Sequence, residues 1–141
     1  VLIPIQCEYY ALEGLAQLTR NVELVRTNLN PELEISGIVM VMYDSRTRLA
    51  EQVVSEVRGH FGAKVCRNMI PRNIRPSEAP SYGQPITTFD SSSRGAVAYR
   101  AVAYELLARS GQQPGPSLRD AMTRYQVPRK DQDREGASDG A

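Results

Sequence analysis

The chain has 141 residues, of which 41% are hydrophobic and 23% charged, and its formal net charge is +1. This length suits one domain or part of one, and the near-neutral charge excludes a generally basic nucleic-acid-binding protein. One histidine, His60, and two distant cysteines, Cys7 and Cys66, are too few for a metal site. We expect both cysteines to be reduced core residues of a cytosolic protein. No apolar run approaches the length of a membrane span. Because the chain opens with Val1 rather than methionine, we expect its true N-terminus to lie upstream.

Short apolar runs alternate with amphipathic segments along the chain. The runs predict three strands, at residues 1–5, 32–43 and 63–70. Leucine and valine at three- and four-residue spacing predict three helices, at about residues 11–29, 47–61 and 94–108. Asp44 or Ser45 is expected to cap the second helix, and a serine of 91–93 the third. Pro4 is expected near a strand end. This alternation predicts an α/β fold, a parallel sheet with flanking helices.

The composition changes at Ser110, where glycine, proline, glutamine, aspartate and arginine become frequent. We therefore divide the chain into a folded part, 1–109, and a mostly disordered polar tail, 110–141, with room for one short helix at 117–125. Leu118, Met122 and Tyr125 would share one face of that helix. This face has too little apolar area for firm membrane binding.

The segment from Met69 to Asp90 follows the third predicted strand and contains four prolines, which fix φ and remove backbone donors. It also carries Arg72 and Arg75. In parallel α/β sheets, ligands bind beyond the carboxyl ends of the strands, so this segment is a candidate binding loop. The alternative is an ordered surface loop with solvated arginines, and the residues alone leave both open.

Three blocks of sequence resemble one family in the same order. They are QCEYYALEGL at 6–15, MYDSRTRLAEQV at 42–53 and IPRNIRPSEAPSYGQPITTFDSSSRGAVAY at 70–99. These blocks resemble the C-terminal half of the ParA/Soj family, the deviant P-loop ATPases that partition chromosomes and plasmids. The resemblance covers about residues 1–108 and implies the C-terminal portion of a deviant P-loop NTPase fold. The family's phosphate-binding loop and magnesium-binding aspartate are expected upstream of Val1, and no GK[ST] occurs in this chain.

The resemblance implies a protein that uses ATP and Mg²⁺, forms a homodimer on ATP binding and binds DNA without sequence preference. A ParB-type partner would stimulate hydrolysis of the ATP. The implied location is the nucleoid in the cytoplasm, without stable membrane association. None of the family's catalytic residues is expected in this chain. Two alternatives remain open, a MinD-like membrane-associated positioning ATPase and a non-catalytic interaction fragment.

The resemblance also implies two sets of site residues. The walls of the nucleotide-base pocket would be Tyr43, Asp44, Pro71, Arg72 and Asn73. For Asp44, a helix-capping role is an equal alternative. The DNA-binding residues would be Arg46 and Arg75, which match the family's positions more closely than Arg72 and Arg94. Taken without the family, each single arginine is better explained by a solvated surface position.

The start of the first predicted helix carries Glu8, Tyr9, Tyr10 and Glu13. Carboxylates in the first turn of a helix favour its dipole, which is the simpler role for the two glutamates. In the family, this segment resembles a surface that faces the dimer partner or another protein.

Overall fold

The computed structural model describes residues 1–124 of the chain. Its two strands are β1 (Leu2–Gln6) and β2 (Gly37–Val41). Its α-helices are α1 (Tyr9–Asn28), α2 (Arg48–Phe61), α3 (Arg75–Glu78), α4 (Ile86–Phe89), α5 (Arg94–Arg109) and α6 (Pro116–Arg124). Two 3₁₀ turns occupy Gly62–Lys64 and Ala79–Tyr82. The predicted α/β fold, with parallel strands and flanking helices, is confirmed.

The two strands form a parallel pair in which Leu2 lies opposite Gly37. Pro4 is the middle residue of β1, so the prediction that it lies near a strand end is wrong. The backbone N–H groups of the odd-numbered residues face β2, as shown by the Cys7 N–H, which donates to the Val41 C=O at 3.2 Å. Pro4 therefore points its nitrogen, which has no hydrogen, to the side of β1 where no strand pairs within residues 1–124.

The third predicted strand, 63–70, is not a regular strand. An extended segment, 65–71, lies beside β2 and Tyr43 with isolated parallel bridges at Val65 and Pro71. The N–H groups of Cys66 and Ile70 donate to the C=O groups of Ile38 and Met40 at 2.8 and 2.9 Å. Between these bridges the chain bends, and the backbone N–H groups of Arg67 and Asn68 donate to the Glu105 carboxylate at 2.8 and 2.9 Å. A side chain from α5 thus replaces a strand as the partner of these backbone groups.

Helices cover both faces of the sheet. One core cluster joins β1 and β2 to α1 and α2, and its members include Ile3, Leu15, Met40, Val53 and Val57. The other joins β2 and the extended segment to α5, and its members include Val39, Cys66, Ile70, Ala98 and Val102. Small residues along α5 allow the helix to lie close to the sheet. The three long predicted helices are confirmed, with ends shifted by one or two residues.

The cap of α2 differs from the prediction. Thr47, not Asp44 or Ser45, accepts the Ala50 N–H through its hydroxyl at 3.3 Å. Asp44 lies three residues before this cap, and its carboxylate accepts the Arg46 N–H at 3.1 Å. At α5, the expected serine cap is Ser93, whose hydroxyl accepts the Ala96 N–H at 3.2 Å.

Both cysteines, Cys7 and Cys66, are buried with free thiols, and burial raises the pKa of each. Helix α6 contacts α5 and lies where a short helix was expected in the polar tail. The rest of that tail, residues 125–141, lies outside the described residues. Of the helices within residues 1–124, none is long and apolar enough to cross a membrane.

Candidate functional site

The carboxyl ends of β2 and of the extended segment 65–71 lie side by side. The Tyr43 N–H donates to the Ile70 C=O at 3.0 Å, and the Arg72 N–H donates to the Tyr43 C=O at 2.9 Å. Tyr43 and Pro71 are thereby bridged as in a parallel sheet. We call this side of the sheet the carboxyl edge. The structure brings to it the five residues that the resemblance implies for a base pocket: Tyr43, Asp44, Pro71, Arg72 and Asn73.

Tyr43 contributes backbone rather than side chain to the carboxyl edge. Its N–H and C=O are both used in the pairing with the extended segment. Its ring packs against the core cluster of β1, β2, α1 and α2. Burial, followed by the negative charge of Glu51, raises the pKa of its hydroxyl. Tyr43 therefore stabilises the edge and keeps a neutral side chain.

Asp44 and Arg46 form a compact ion pair directly after β2. One carboxylate oxygen of Asp44 accepts the Arg46 Nε at 2.9 Å, and the other accepts Nη2 at 2.7 Å. The Arg46 side chain is 84% exposed and that of Asp44 19%, so the guanidinium lies in solvent while the carboxylate is partly covered. The hydrogen bonds from the Arg46 side chain and backbone hold the pKa of Asp44 well below its usual range. Asp44 thus acts as a charged partner of Arg46, and the predicted capping role belongs to Thr47.

Arg72 links the carboxyl edge to the start of α1. Its Nη2 lies 3.2 Å from Oε1 of Glu8, the residue that precedes the helix. The first turn of α1 contains no acidic residue, because Glu8 is the N-cap and Glu13 lies further along the helix. At that N-terminal position Glu8 pairs with Arg72. Tyr9 and Tyr10 are exposed beside this pair, with their rings edge to face.

The segment from Met69 to Asp90 is built of short helical turns rather than irregular loop. The Asn73 side-chain oxygen accepts the Arg75 N–H at 3.0 Å and so starts α3. Arg75 then reaches two carboxylates: Nη1 lies 3.1 Å from Glu78, and Nε lies 3.3 Å from Asp90. The bond from Arg75 orients the Asn73 amide, whose Nδ2 makes no hydrogen bond within the described part of the chain.

Arg100 of α5 anchors the last part of this segment. Its guanidinium donates to the Thr87 C=O at 2.9 Å and to the Ser91 C=O and hydroxyl at 2.6 and 2.7 Å. At the other end, an ideal Cβ at Gly95 would lie 2.8 Å from Cγ of Pro76, so only glycine lets α5 approach α3 this closely. The role of Arg100 was not predicted from the sequence, because the residues that it contacts lie 9 and 13 positions away without a periodic signal.

The four predicted DNA-binding arginines occupy neighbouring elements. Arg46 follows β2, Arg72 follows the extended segment, Arg75 opens α3, and Arg94 opens α5 next to Gly95. Within residues 1–124, Arg94 makes no ion pair, whereas each of the other three contacts at least one carboxylate. The structure therefore places these arginines around one edge, and three of them in contact with acidic partners.

Comparison with known proteins gives one family-model match, to an AAA domain, over residues 1–35. The chain is 53% identical over 109 residues to the chromosome partitioning protein ParA of Myxococcus xanthus, covering 77% of this chain and 38% of that protein. It is 51% identical over 112 residues to the chromosome-partitioning ATPase Soj of Treponema pallidum, covering 79% and 44%. It is 53% identical over 108 residues to the sporulation initiation inhibitor protein Soj of Bacillus subtilis, covering 77% and 43%.

The chain thus spans 38 to 44% of the length of these relatives. A match of 109 residues takes in β2, α2 and the carboxyl edge wherever it begins in a chain of 141 residues. Over the matched residues, the chain is about half identical to proteins named as chromosome-partitioning ParA and Soj.

Proposed function

We propose that these residues form part of a partitioning ATPase that acts on chromosomal or plasmid DNA. In the complete protein, ATP and Mg²⁺ would hold two copies together, the dimer would bind DNA without sequence preference, and a ParB-type partner would stimulate hydrolysis. This activity would take place in the cytoplasm, on the nucleoid. The observation that carries the proposal is the bridge between Tyr43 and Pro71, because it sets polar residues at the edge where α/β sheets bind ligands.

The base pocket that we propose is formed by Tyr43, Asp44, Pro71, Arg72 and Asn73. Among these, Asn73 fits a purine ring because its amide is held by Arg75 while Nδ2 has no partner in the described residues. An amide N–H of this kind donates to a ring nitrogen. ATP itself would supply the phosphoanhydride that is hydrolysed. Its phosphates and Mg²⁺ would be held by a phosphate-binding loop, whose GK[ST] signature is absent from this chain.

The nucleotide proposal is tested by titrating a fluorescent ATP analogue. We expect Asn73→Ala in the complete protein to weaken ATP binding about three- to tenfold, the value of one hydrogen bond. Asn21→Ala, on the exposed face of α1, is the matched control and should bind as the wild type does. The 141-residue chain alone should not bind ATP tightly, because it lacks the loop that makes most of the contacts. Micromolar, Mg²⁺-dependent binding by this chain would contradict the proposal.

The DNA-binding surface that we propose consists of Arg46, Arg72, Arg75 and Arg94. A guanidinium donates paired hydrogen bonds to phosphate, and each of these side chains is exposed at the carboxyl edge or beside it. Dimerisation would double the number of contacts, which explains how a chain of net charge +1 could hold DNA only in its ATP-bound state.

The DNA proposal is tested with Arg46→Ala and Arg75→Ala in the complete protein. Each should weaken binding to all sequences alike and make the salt dependence shallower, by about one unit of slope for each phosphate that the protein no longer neutralises. Arg26→Ala on α1, another exposed and paired arginine, is the control. ATP-dependent dimerisation should persist in both variants. Normal DNA binding by Arg75→Ala at several salt concentrations would refute its assignment.

A further inference from the structure

Three of the four arginines proposed to bind DNA are already held by carboxylates of the same chain. The pairs are Arg46–Asp44 at 2.7 Å, Arg72–Glu8 at 3.2 Å, Arg75–Glu78 at 3.1 Å and Arg75–Asp90 at 3.3 Å. A carboxylate and a phosphate use the same donors of a guanidinium, in the same planar geometry. DNA phosphate would therefore meet each of these arginines with at least one donor already hydrogen-bonded to a carboxylate.

Arg75 shows this arrangement most completely, because two carboxylates approach it from different parts of the chain. Glu78 lies three residues on, within α3, and Asp90 lies directly after α4. A guanidinium has two faces for bidentate binding, one formed by Nε and Nη2 and the other by Nη1 and Nη2. Nη1 donates a hydrogen bond to Glu78 at 3.1 Å, and Asp90 lies 3.3 Å from Nε as an ion-pair partner, so each face has one carboxylate against it.

Arg75, Glu78 and Asp90 form a cluster with a net negative charge. Arg75 contributes one positive charge, and Glu78 and Asp90 contribute two negative charges. The side chains of Arg75 and Glu78 are about half exposed, and Asp90 is less so. A phosphate can therefore reach the cluster but is repelled by it until a carboxylate moves away.

We propose that Glu78 and Asp90 act as intramolecular competitors of DNA phosphate at Arg75, so that DNA binds there by displacing them. The proposal rests on the DNA-binding function proposed above and adds the residues that limit its affinity. Asp44 stands in the same relation to Arg46, where both oxygens of the carboxylate fill the Nε and Nη2 face.

DNA phosphate can displace the carboxylates because these ion pairs are weak. Pairs between exposed side chains contribute little, since water screens the charges and two long side chains lose freedom. Removing one competing carboxylate should therefore tighten DNA binding by about two- to fivefold. Competition of this strength limits the affinity for DNA without abolishing binding. It also keeps the contact between Arg75 and phosphate readily reversible.

The test uses the complete ATP-bound protein and a labelled DNA duplex of random sequence, with binding measured by fluorescence anisotropy. Glu78→Gln and Asp90→Asn should each bind DNA more tightly than the wild type. Glu78→Gln keeps the backbone hydrogen bonds of Glu78 to Ile74 and Ser81, so the test remains valid should Asp90→Asn perturb folding. Glu23→Gln is the matched control, because Glu23 and Arg26 form an exposed pair of the same spacing on α1.

A second set of variants shows whether the effect acts through Arg75. In the Arg75→Ala background, Glu78→Gln and Asp90→Asn should no longer change DNA affinity. Equal tightening in that background, or in Glu23→Gln, would overturn the proposal, because only net charge would then matter. Weaker DNA binding by both carboxylate variants would also overturn it, since the carboxylates would then position Arg75.

The two proposals fail in different ways. If Arg75→Ala binds DNA as tightly as the wild type, the DNA-binding role of Arg75 is wrong and the competition has no basis. If Arg75→Ala weakens binding while both carboxylate variants bind as the wild type does, the DNA-binding role stands and the competition alone is refuted.

Discussion

The interaction of Glu105 with the extended segment 65–71 makes a strong prediction for stability. The Glu105 carboxylate accepts the backbone N–H of Arg67 at 2.8 Å and that of Asn68 at 2.9 Å. It also accepts the Asn68 side chain at 2.8 Å and the Arg109 guanidinium at 2.6 Å. The Glu105 side chain is only 12% exposed, so water is unable to replace all of these bonds. We expect Glu105→Ala to destabilise the fold.

The cost follows from the number and kind of hydrogen bonds that the substitution removes. A hydrogen bond to a charged group contributes about 1.5–3 kcal/mol, but bonds to one carboxylate are not additive. The Arg67 N–H lies in an exposed residue and can turn to water, and Arg109 retains the backbone carbonyls of Ala63 and Val65. We therefore expect Glu105→Ala to lower the free energy of unfolding by about 2–4 kcal/mol, a large part of the stability of a typical domain.

The same carboxylate predicts a dependence on pH. Burial raises the pKa of Glu105, but the hydrogen bonds from Asn68, Arg67 and Arg109 outweigh it, so the pKa in the folded protein is lowered. A lowered pKa stabilises the fold above the pKa of the unfolded chain, and this contribution disappears as the pH falls through the folded pKa. The difference between wild type and Glu105→Gln should therefore shrink as the pH is lowered below about 4.

Urea denaturation of the complete protein, followed by circular dichroism at neutral and acidic pH, measures both effects. Glu56→Ala is the control, because Glu56 is an exposed glutamate on α2 without a hydrogen bond or ion pair within residues 1–124. A loss below about 1 kcal/mol for Glu105→Ala would refute the reasoning, since even one bond to a charged group contributes more. A difference between wild type and Glu105→Gln that is independent of pH would refute the role of the charge.

Two further substitutions test local contacts by the same denaturation assay. Gly95→Ala should destabilise by about 1–3 kcal/mol despite its better helix propensity, because its Cβ would lie 2.8 Å from Cγ of Pro76. A gain in stability would show that α3 moves easily to make room for the added Cβ. Thr47→Ala should cost about 1 kcal/mol through loss of the cap on the Ala50 N–H, whereas Ser45→Ala should cost little. Equal losses would contradict the assigned cap.

Local patterns were sufficient to predict most of the fold. Helices α1, α2 and α5 follow from the spacing of their apolar residues, and β1 and β2 from short apolar runs. The extended segment was mistaken for a strand because its composition is that of one. The residue that takes up its backbone N–H groups, Glu105, lies 38 positions from Arg67. No local pattern indicates that contact.

The candidate site, too, could be predicted only in part from the sequence. That Asp44 and Arg72 would lie near each other followed from two parallel strands ending at one edge, and the bridge between Tyr43 and Pro71 agrees with this. The ion pairs of these arginines could not be predicted from the sequence. Asp90 reaches Arg75 only because helical turns fold the intervening segment back, and their course depends on tertiary contacts such as those of Arg100.

The two edges of the sheet differ in how they are closed, and this bears on where a nucleotide would bind. Beside the extended segment, Glu105 accepts backbone N–H groups, while Arg58 and Arg109 donate to the carbonyls of Arg67 and Val65. Side chains thus block further pairing on that side. At β1, within residues 1–124, no strand pairs with the outer edge. A parallel strand added there would end beside Gln6, and a phosphate-binding loop after it would face the carboxyl edge, where the base pocket is proposed.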